Sequence, residues 1–112
     1  LAGLVAACYT DDVELLKTCL DDAVIEPQRA ALIPGFARVK AAALEAGALG
    51  ASISGSGPSV FALVDDEEVA EQTRAAMAEA FKSSGVAEVD SWVSNVSDEG
   101  ARVIDETMNY ER

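Results

Sequence analysis

A glycine- and serine-rich segment between two apolar runs is the part of this sequence best suited to binding a ligand. Residues 54–59 read Ser-Gly-Ser-Gly-Pro-Ser. Gly55 and Gly57 can adopt positive φ angles and let a ligand approach the main chain, while Pro58 fixes its own φ and removes one backbone donor. A bend of this composition is also typical of a plain hairpin connection, so the segment alone leaves both interpretations open.

The residue types that the chain lacks exclude several kinds of chemistry. It contains no histidine, which removes the commonest general base, the usual partner of a nucleophilic serine or cysteine, and the commonest metal ligand. Cys8 and Cys19 fit no common zinc pattern. Their spacing is close to three helical turns, which predicts two core thiols on one apolar side in a reducing compartment. We therefore predict no catalytic residue and no metal site within this chain.

Length and charge set the class of protein. The 112 residues, half of them apolar, suit a single domain over 1–112 with a core of its own. Twenty acidic against eight basic side chains give a formal charge of −12, which disfavours nucleic acid and anionic lipid as partners. Without an apolar run of membrane-spanning length or a signal peptide, we expect a cytoplasmic protein. Because the chain begins with Leu1 and not Met, we expect it to be a piece of a longer protein.

Apolar spacing and capping residues predict five helices around the glycine-rich segment. The first contains Leu4 and Cys8, and the second starts near Asp12 behind a capping box formed by Asp11 and Glu14. A short helix has Pro27 in its first turn. The remaining two are predicted from Pro34 to about Ala46, with Phe36, Val39, Ala43 and Leu44 on its apolar face, and from the acidic group 65–68 to a point before Gly85.

Four segments are candidate strands. Ala48–Ser54 and Ser59–Val64 flank the glycine-rich segment and should pair antiparallel, and Val86–Val96 and Ala101–Asp105 are weaker candidates. Trp92 would then be a partly buried strand aromatic, and Thr107–Arg112 a polar tail. Helices followed by strand, strand, helix, strand and strand favour an α+β fold, with an antiparallel sheet of about four strands and helices on one face.

Three separated motifs resemble one enzyme family. They are Asp22-Ala-Val-Ile-Glu-Pro-Gln-Arg29, Leu32-Ile-Pro-Gly-Phe36 with Val39-Lys40, and the run from Gly47 to Leu63. Together they resemble the carboxy-terminal half of homoserine kinases, members of the GHMP superfamily named for galacto-, homoserine, mevalonate and phosphomevalonate kinases. The resemblance extends from about Leu1 to Asp105 and implies the ferredoxin-like carboxy-terminal domain of that superfamily.

The resemblance also implies an activity. Enzymes of this family transfer the γ-phosphoryl group of ATP to the side-chain hydroxyl of L-homoserine, with Mg²⁺, on the route to threonine. The first family motif and the glycine- and serine-rich phosphate motif are absent from this sequence, and no Walker loop replaces them. Phosphoryl transfer depends on positioning and charge stabilisation, so we expect this chain to be the substrate-side domain without the amino-terminal ATP-binding domain, and inactive alone.

Site residues follow from the family motifs. Arg29 stands where the family has a substrate-contacting arginine, and a guanidinium suits the carboxylate of homoserine. Without the resemblance, the preferred interpretation of Arg29 would be an exposed ion pair with Glu26. Gly55, Ser56 and Gly57 would close the pocket over the substrate, and Ser54, Gly55 and Gly57 would lie nearest the phosphates of ATP. Five other basic side chains are expected on solvated faces: Arg38, Lys40, Arg74, Lys82 and Arg102.

Two other functions stay open. One is phosphorylation of a different small molecule by another kinase of the same superfamily. The other is a non-catalytic module that binds or senses an amino acid through its sheet and glycine loop. A face left open by a missing domain would favour self-association, so a homodimer is also an open alternative.

Overall fold

The computed structural model describes residues 1–104, in which five helices accompany one two-stranded antiparallel sheet. In chain order the elements are α1 (Ala2–Thr10), α2 (Val13–Cys19), α3 (Ile25–Ala30), α4 (Phe36–Glu45), β1 (Gly50–Ile53), β2 (Val60–Leu63) and α5 (Glu67–Ser83). The predicted α+β class and the predicted helices are confirmed.

The two strands on either side of the glycine-rich segment form the predicted hairpin. Gly50 lies opposite Leu63 and Ile53 opposite Val60. The hairpin is extended by one further hydrogen bond at 2.8 Å, donated by the Leu49 N–H to the carbonyl oxygen of Leu63. The hairpin therefore presents residues 54–59 at its tip.

Aspartate side chains cap the starts of α2 and α5. Asp66 caps α5 by accepting a hydrogen bond from the Val69 N–H at 3.0 Å, as the acidic group predicts. Asp12 caps α2 by accepting one from the Leu15 N–H at 2.9 Å. The predicted capping box at Asp11 is wrong by one residue, because Asp11 has a φ of 51° and ends α1 in the left-handed region.

The core lies where α4 packs against α5 and β1. Val39, Ala43 and Ala51 are fully buried, and Thr73 and Ala80 face them from the buried side of α5. Small side chains at these positions let the two helices approach closely. Leu44, predicted on the apolar face of α4, is instead nearly half exposed.

The predicted third and fourth strands are wrong for the part of the chain that the structure describes. Residues 86–104 contain no strand, so the sheet has two strands where about four were predicted. Trp92 is 81% exposed and not a buried strand aromatic. The apolar alternation of this segment is interrupted by serine, aspartate and asparagine, and a strand needs a buried face and a paired neighbour. Asp105 and the predicted tail Thr107–Arg112 lie outside the described residues.

The two cysteines do not share an apolar side. Cys8 is exposed on α1, and Cys19 is half-buried at the end of α2. The chain turns between the helices at Asp11, so the eleven-residue spacing does not follow one continuous helix. The prediction of two core thiols is therefore wrong. Within residues 1–104, no helix combines the length and hydropathy needed to cross a bilayer.

Candidate functional site

The short helix α3 begins at a single carboxylate. Asp22 accepts hydrogen bonds from the backbone N–H groups of Val24 at 2.9 Å, Ile25 at 3.0 Å and Glu26 at 3.2 Å. Hydrogen bonds to a carboxylate favour its charged form. The Val24 and Ile25 N–H groups, in that order, lower the pKa of Asp22 below its ordinary value. This residue therefore fixes where α3 starts.

Glu26, in the first turn of α3, joins the helix to two other elements. The residue is only 8% exposed. Its Oε2 lies 2.7 Å from Nζ of Lys40 on α4, and its Oε1 accepts a hydrogen bond of 2.9 Å from the hydroxyl of Ser52 on β1. The exposed Glu26–Arg29 pair considered as an alternative is absent among the described ion pairs, because Glu26 turns inward to these partners.

Lys40 is not on a solvated face, contrary to the sequence prediction. Its side chain is 18% exposed and forms ion pairs with Glu26 at 2.7 Å and with Asp21 at 3.2 Å. Burial alone would lower the pKa of Lys40, but the hydrogen bonds and attraction to the two carboxylates outweigh burial and raise it. Lys40 is therefore held as a cation between α3 and the segment before it.

Arg29 stands in the last turn of α3 and is exposed. Among residues 1–104 its guanidinium has neither an ion pair nor a side-chain hydrogen bond. Arg74, by contrast, is half-buried and paired with Glu71 and Ser91, so its predicted place on a solvated face is only partly right. The guanidinium of Arg29 is thus available for an external carboxylate.

The glycine loop, residues 54–59, is closed by two backbone hydrogen bonds. Ser54 N–H donates to Ser59 O at 2.8 Å, and Gly57 N–H donates to Ser54 O at 3.1 Å. Gly55 and Gly57 have φ angles of 60° and 83°, and the Gly57–Pro58 peptide bond is cis. The N–H groups of Gly55 and Ser56 have no backbone acceptor within the described part of the chain. These two donors are available to an anionic ligand.

The structure places the predicted site residues on adjacent elements. Ser54, Gly55, Ser56 and Gly57 share the loop. Arg29 lies on α3, and no hydrogen bond between Arg29 and the loop is present in residues 1–104. Two contacts hold α3 and its following turn to the hairpin: Glu26 with Ser52, and the Ile33 side chain with Gly57. Within residues 1–104, the arrangement offers an unpaired guanidinium on α3 and two free backbone donors in the loop.

Sequence reasoning missed the residues that support this site. The sequence predicts Glu26 only as an exposed partner of Arg29, and Lys40 on a solvated face, and neither prediction gives the buried pair that the two residues form. One signal was available: Glu26 is the only charged residue in the segment from Ala23 to Gln28. A lone carboxylate in an apolar stretch indicates a buried partner.

Comparison with known proteins identifies the class to which this fold and site belong. Residues 4–83 match the family model described as GHMP kinases C terminal, so the chain belongs to that family. Homoserine kinases are among its relatives. That of Chlorobaculum tepidum is 49% identical over 108 residues, which are 96% of this chain and 33% of that protein. That of Chlorobium phaeovibrioides is 51% identical over 105 residues, covering 93% of this chain and 33% of that protein.

A solved structure agrees with the sequence comparisons. The crystal structure of homoserine kinase from Cytophaga hutchinsonii is similar to this chain with a TM-score of 0.71 and 50% sequence identity, over 73% of this chain and 26% of that one. The family resemblance is therefore confirmed. The chain spans about a third of the length of the curated relatives it matches.

Proposed function

We propose that this chain forms the substrate-side part of an enzyme that transfers the γ-phosphoryl group of ATP to the side-chain hydroxyl of L-homoserine, the product being O-phospho-L-homoserine on the route to threonine. The observation that carries the proposal is the exposed guanidinium of Arg29, which has no partner among the described residues. The family comparison supports it, because relatives about 50% identical to this chain are homoserine kinases.

Each part of the candidate site has a role in this reaction. Arg29 binds the substrate carboxylate through two parallel hydrogen bonds, which a planar guanidinium suits better than an ammonium group. The Gly55 and Ser56 N–H groups face the phosphate end of ATP and the substrate. These contacts orient the hydroxyl of homoserine toward the transferred phosphoryl group, and orientation supplies much of the catalysis in phosphoryl transfer.

ATP and Mg²⁺ are the proposed cofactors. The free N–H groups of Gly55 and Ser56 fit phosphate oxygens and not a cation, and residues 1–104 contain no cluster of three or more acidic, cysteine or histidine side chains that could hold a metal. We therefore assign the metal, and most of the binding of ATP, to the amino-terminal part that the longer relatives possess. Mg²⁺ supplies neutralisation of the phosphate charge when bound.

The test is an assay of the full-length gene product that contains this chain. Purified protein is incubated with ATP, Mg²⁺ and one of L-homoserine, galactose, mevalonate or phosphomevalonate, and the phosphorylated product is identified by ³¹P NMR and mass spectrometry. We expect transfer to L-homoserine with the highest kcat/KM. Preferential transfer to another of these acceptors would assign the protein to a different branch of the superfamily. Saturable binding of L-homoserine without any transfer would instead support the amino-acid-binding module.

A further inference from the structure

We propose that Glu26 is a positioning residue for substrate recognition: it fixes the helix that carries Arg29 against the strand that leads into the glycine loop. The inference rests on the proposed function, because it assigns Arg29 to the carboxylate of the substrate. It adds a residue that touches neither substrate nor ATP in that proposal.

The apolar residues of α3 itself contribute little to its position. The helix has only six residues, too few to be stable by itself, and Glu26 is the one buried residue it contains. The two apolar side chains at its start, Val24 and Ile25, are 65% and 55% exposed. Within the helix, the polar contacts of Glu26 therefore set the position of α3, while the buried Ile33 anchors the turn that follows it.

Both oxygens of the Glu26 carboxylate are used for this purpose. Oε1 accepts the hydrogen bond of Ser52, two residues before the loop begins at Ser54, and Oε2 pairs with Lys40 in the middle of α4. Arg29 follows Glu26 by three residues and lies nearly one helical turn further along α3. A shift of α3 against β1 therefore moves the guanidinium relative to the loop donors. Since bidentate recognition is sensitive to such displacements, substrate affinity depends on Glu26.

The substitution Glu26→Gln isolates this effect. A glutamine keeps the shape and accepts from Ser52, but it removes the ion pair and leaves the half-buried Lys40 with the exposed Asp21 as its remaining partner. The matched control is Glu71→Gln, which removes one carboxylate from an ion pair on α5, with Arg74. Both variants are made in the full-length protein. For each variant, kcat, the KM for L-homoserine and the KM for ATP are measured.

We expect Glu26→Gln to raise the KM for L-homoserine about fivefold to tenfold, with the KM for ATP and kcat changed less than about twofold. Glu71→Gln leaves all three values unchanged. A merely structural role would lower thermal stability without this separation of the two KM values. A folded Glu26→Gln protein with an unchanged KM for L-homoserine would overturn the inference.

A second variant covers the case in which Glu26→Gln does not fold. Ser52→Ala removes one of the two hydrogen bonds of Glu26 and leaves the ion pair with Lys40. Here the expected rise in KM for L-homoserine is about threefold, and no rise would equally overturn the inference. Absence of transfer by the wild-type protein would contradict the proposed function itself, and is thus distinguishable from a failure of the positioning role.

Discussion

Gly57 lies against the side chain of Ile33, at the point where the glycine loop meets the turn after α3. A Cβ atom at position 57 would stand 3.0 Å from Cδ1 of Ile33 and 3.4 Å from Cγ2 of Ile53. Gly55, two residues earlier, has a positive φ as well, but no atom lies within 4 Å of the corresponding point. The two glycines of the loop therefore differ: Gly57 leaves little room for a side chain, and Gly55 faces open space where a ligand can approach.

Gly57→Ala is expected to destabilise the protein even in the absence of any ligand. The left-handed conformation at φ 83° costs an L-residue about 1–2 kcal/mol, and contact with Ile33 adds to that. The control is Gly85→Ala, which has a φ of 92° but open space around it. Thermal unfolding of the full-length protein should show a larger loss for Gly57→Ala. Equal losses would mean that the Ile33 contact is unimportant. Valine at position 57 should also block close approach of a ligand to the loop. Full activity of a Gly57→Val enzyme would exclude such close contact.

Gly55→Asn tests the open side of the loop. Asparagine tolerates the left-handed region better than most residues, so the fold should be kept. We expect the added side chain to obstruct the Gly55 and Ser56 N–H groups and to raise the KM for ATP or L-homoserine about tenfold, a change that corresponds to ~1.4 kcal/mol. Gly85→Asn, with similar strain outside the loop, should leave both values unchanged. Normal kinetics in Gly55→Asn would exclude this side of the loop from ligand binding.

Arg29→Ala should raise the KM for L-homoserine about tenfold or more. A hydrogen bond to a charged group contributes on the order of 1.5–3 kcal/mol, and no described partner would be left behind unpaired. Lys82→Ala, which removes one exposed cation from the last turn of α5, is the charge-matched control and should leave KM as it is. A KM that stays within about twofold of the wild-type value would exclude Arg29 from substrate binding.

Asp22→Asn should lower stability in a pH-dependent manner. Three backbone N–H groups hold the pKa of Asp22 below its ordinary value, so the charged carboxylate favours the folded state. This contribution is complete above the unfolded pKa of about 3.9 and disappears as the pH falls through the lower folded pKa. Melting temperatures of wild type and Asp22→Asn, measured from pH 7 downward, should differ at neutral pH and converge in acid. A constant difference would show that the charge of Asp22 is not the cause.

Local patterns predicted the parts of this fold that local interactions determine. The start of α5 at Asp66 and the hairpin around the glycine loop depend on neighbouring residues, and both are confirmed. The hydrogen bond between Ser52 and Glu26 joins residues 26 positions apart, and nothing in either segment specifies the other. For the same reason the third and fourth strands were wrong: strand pairing depends on a distant partner, and Trp92 finds no buried face within residues 1–104.

Thr73 provides a prediction about stability alone. It lies on α5 beside a groove lined by Phe61 and Met77, is 2% exposed, and its Oγ1 has no hydrogen-bond partner in the described part of the chain. A buried hydroxyl without a partner retains its desolvation cost, so Thr73→Val should raise the free energy of unfolding by about 1 kcal/mol. Thr18→Val is the control, since its exposed hydroxyl donates to the Glu14 carbonyl oxygen at 3.1 Å. Thermal unfolding of the full-length protein should show stabilisation only for Thr73→Val, and a loss of stability there would contradict the cost assigned to this hydroxyl.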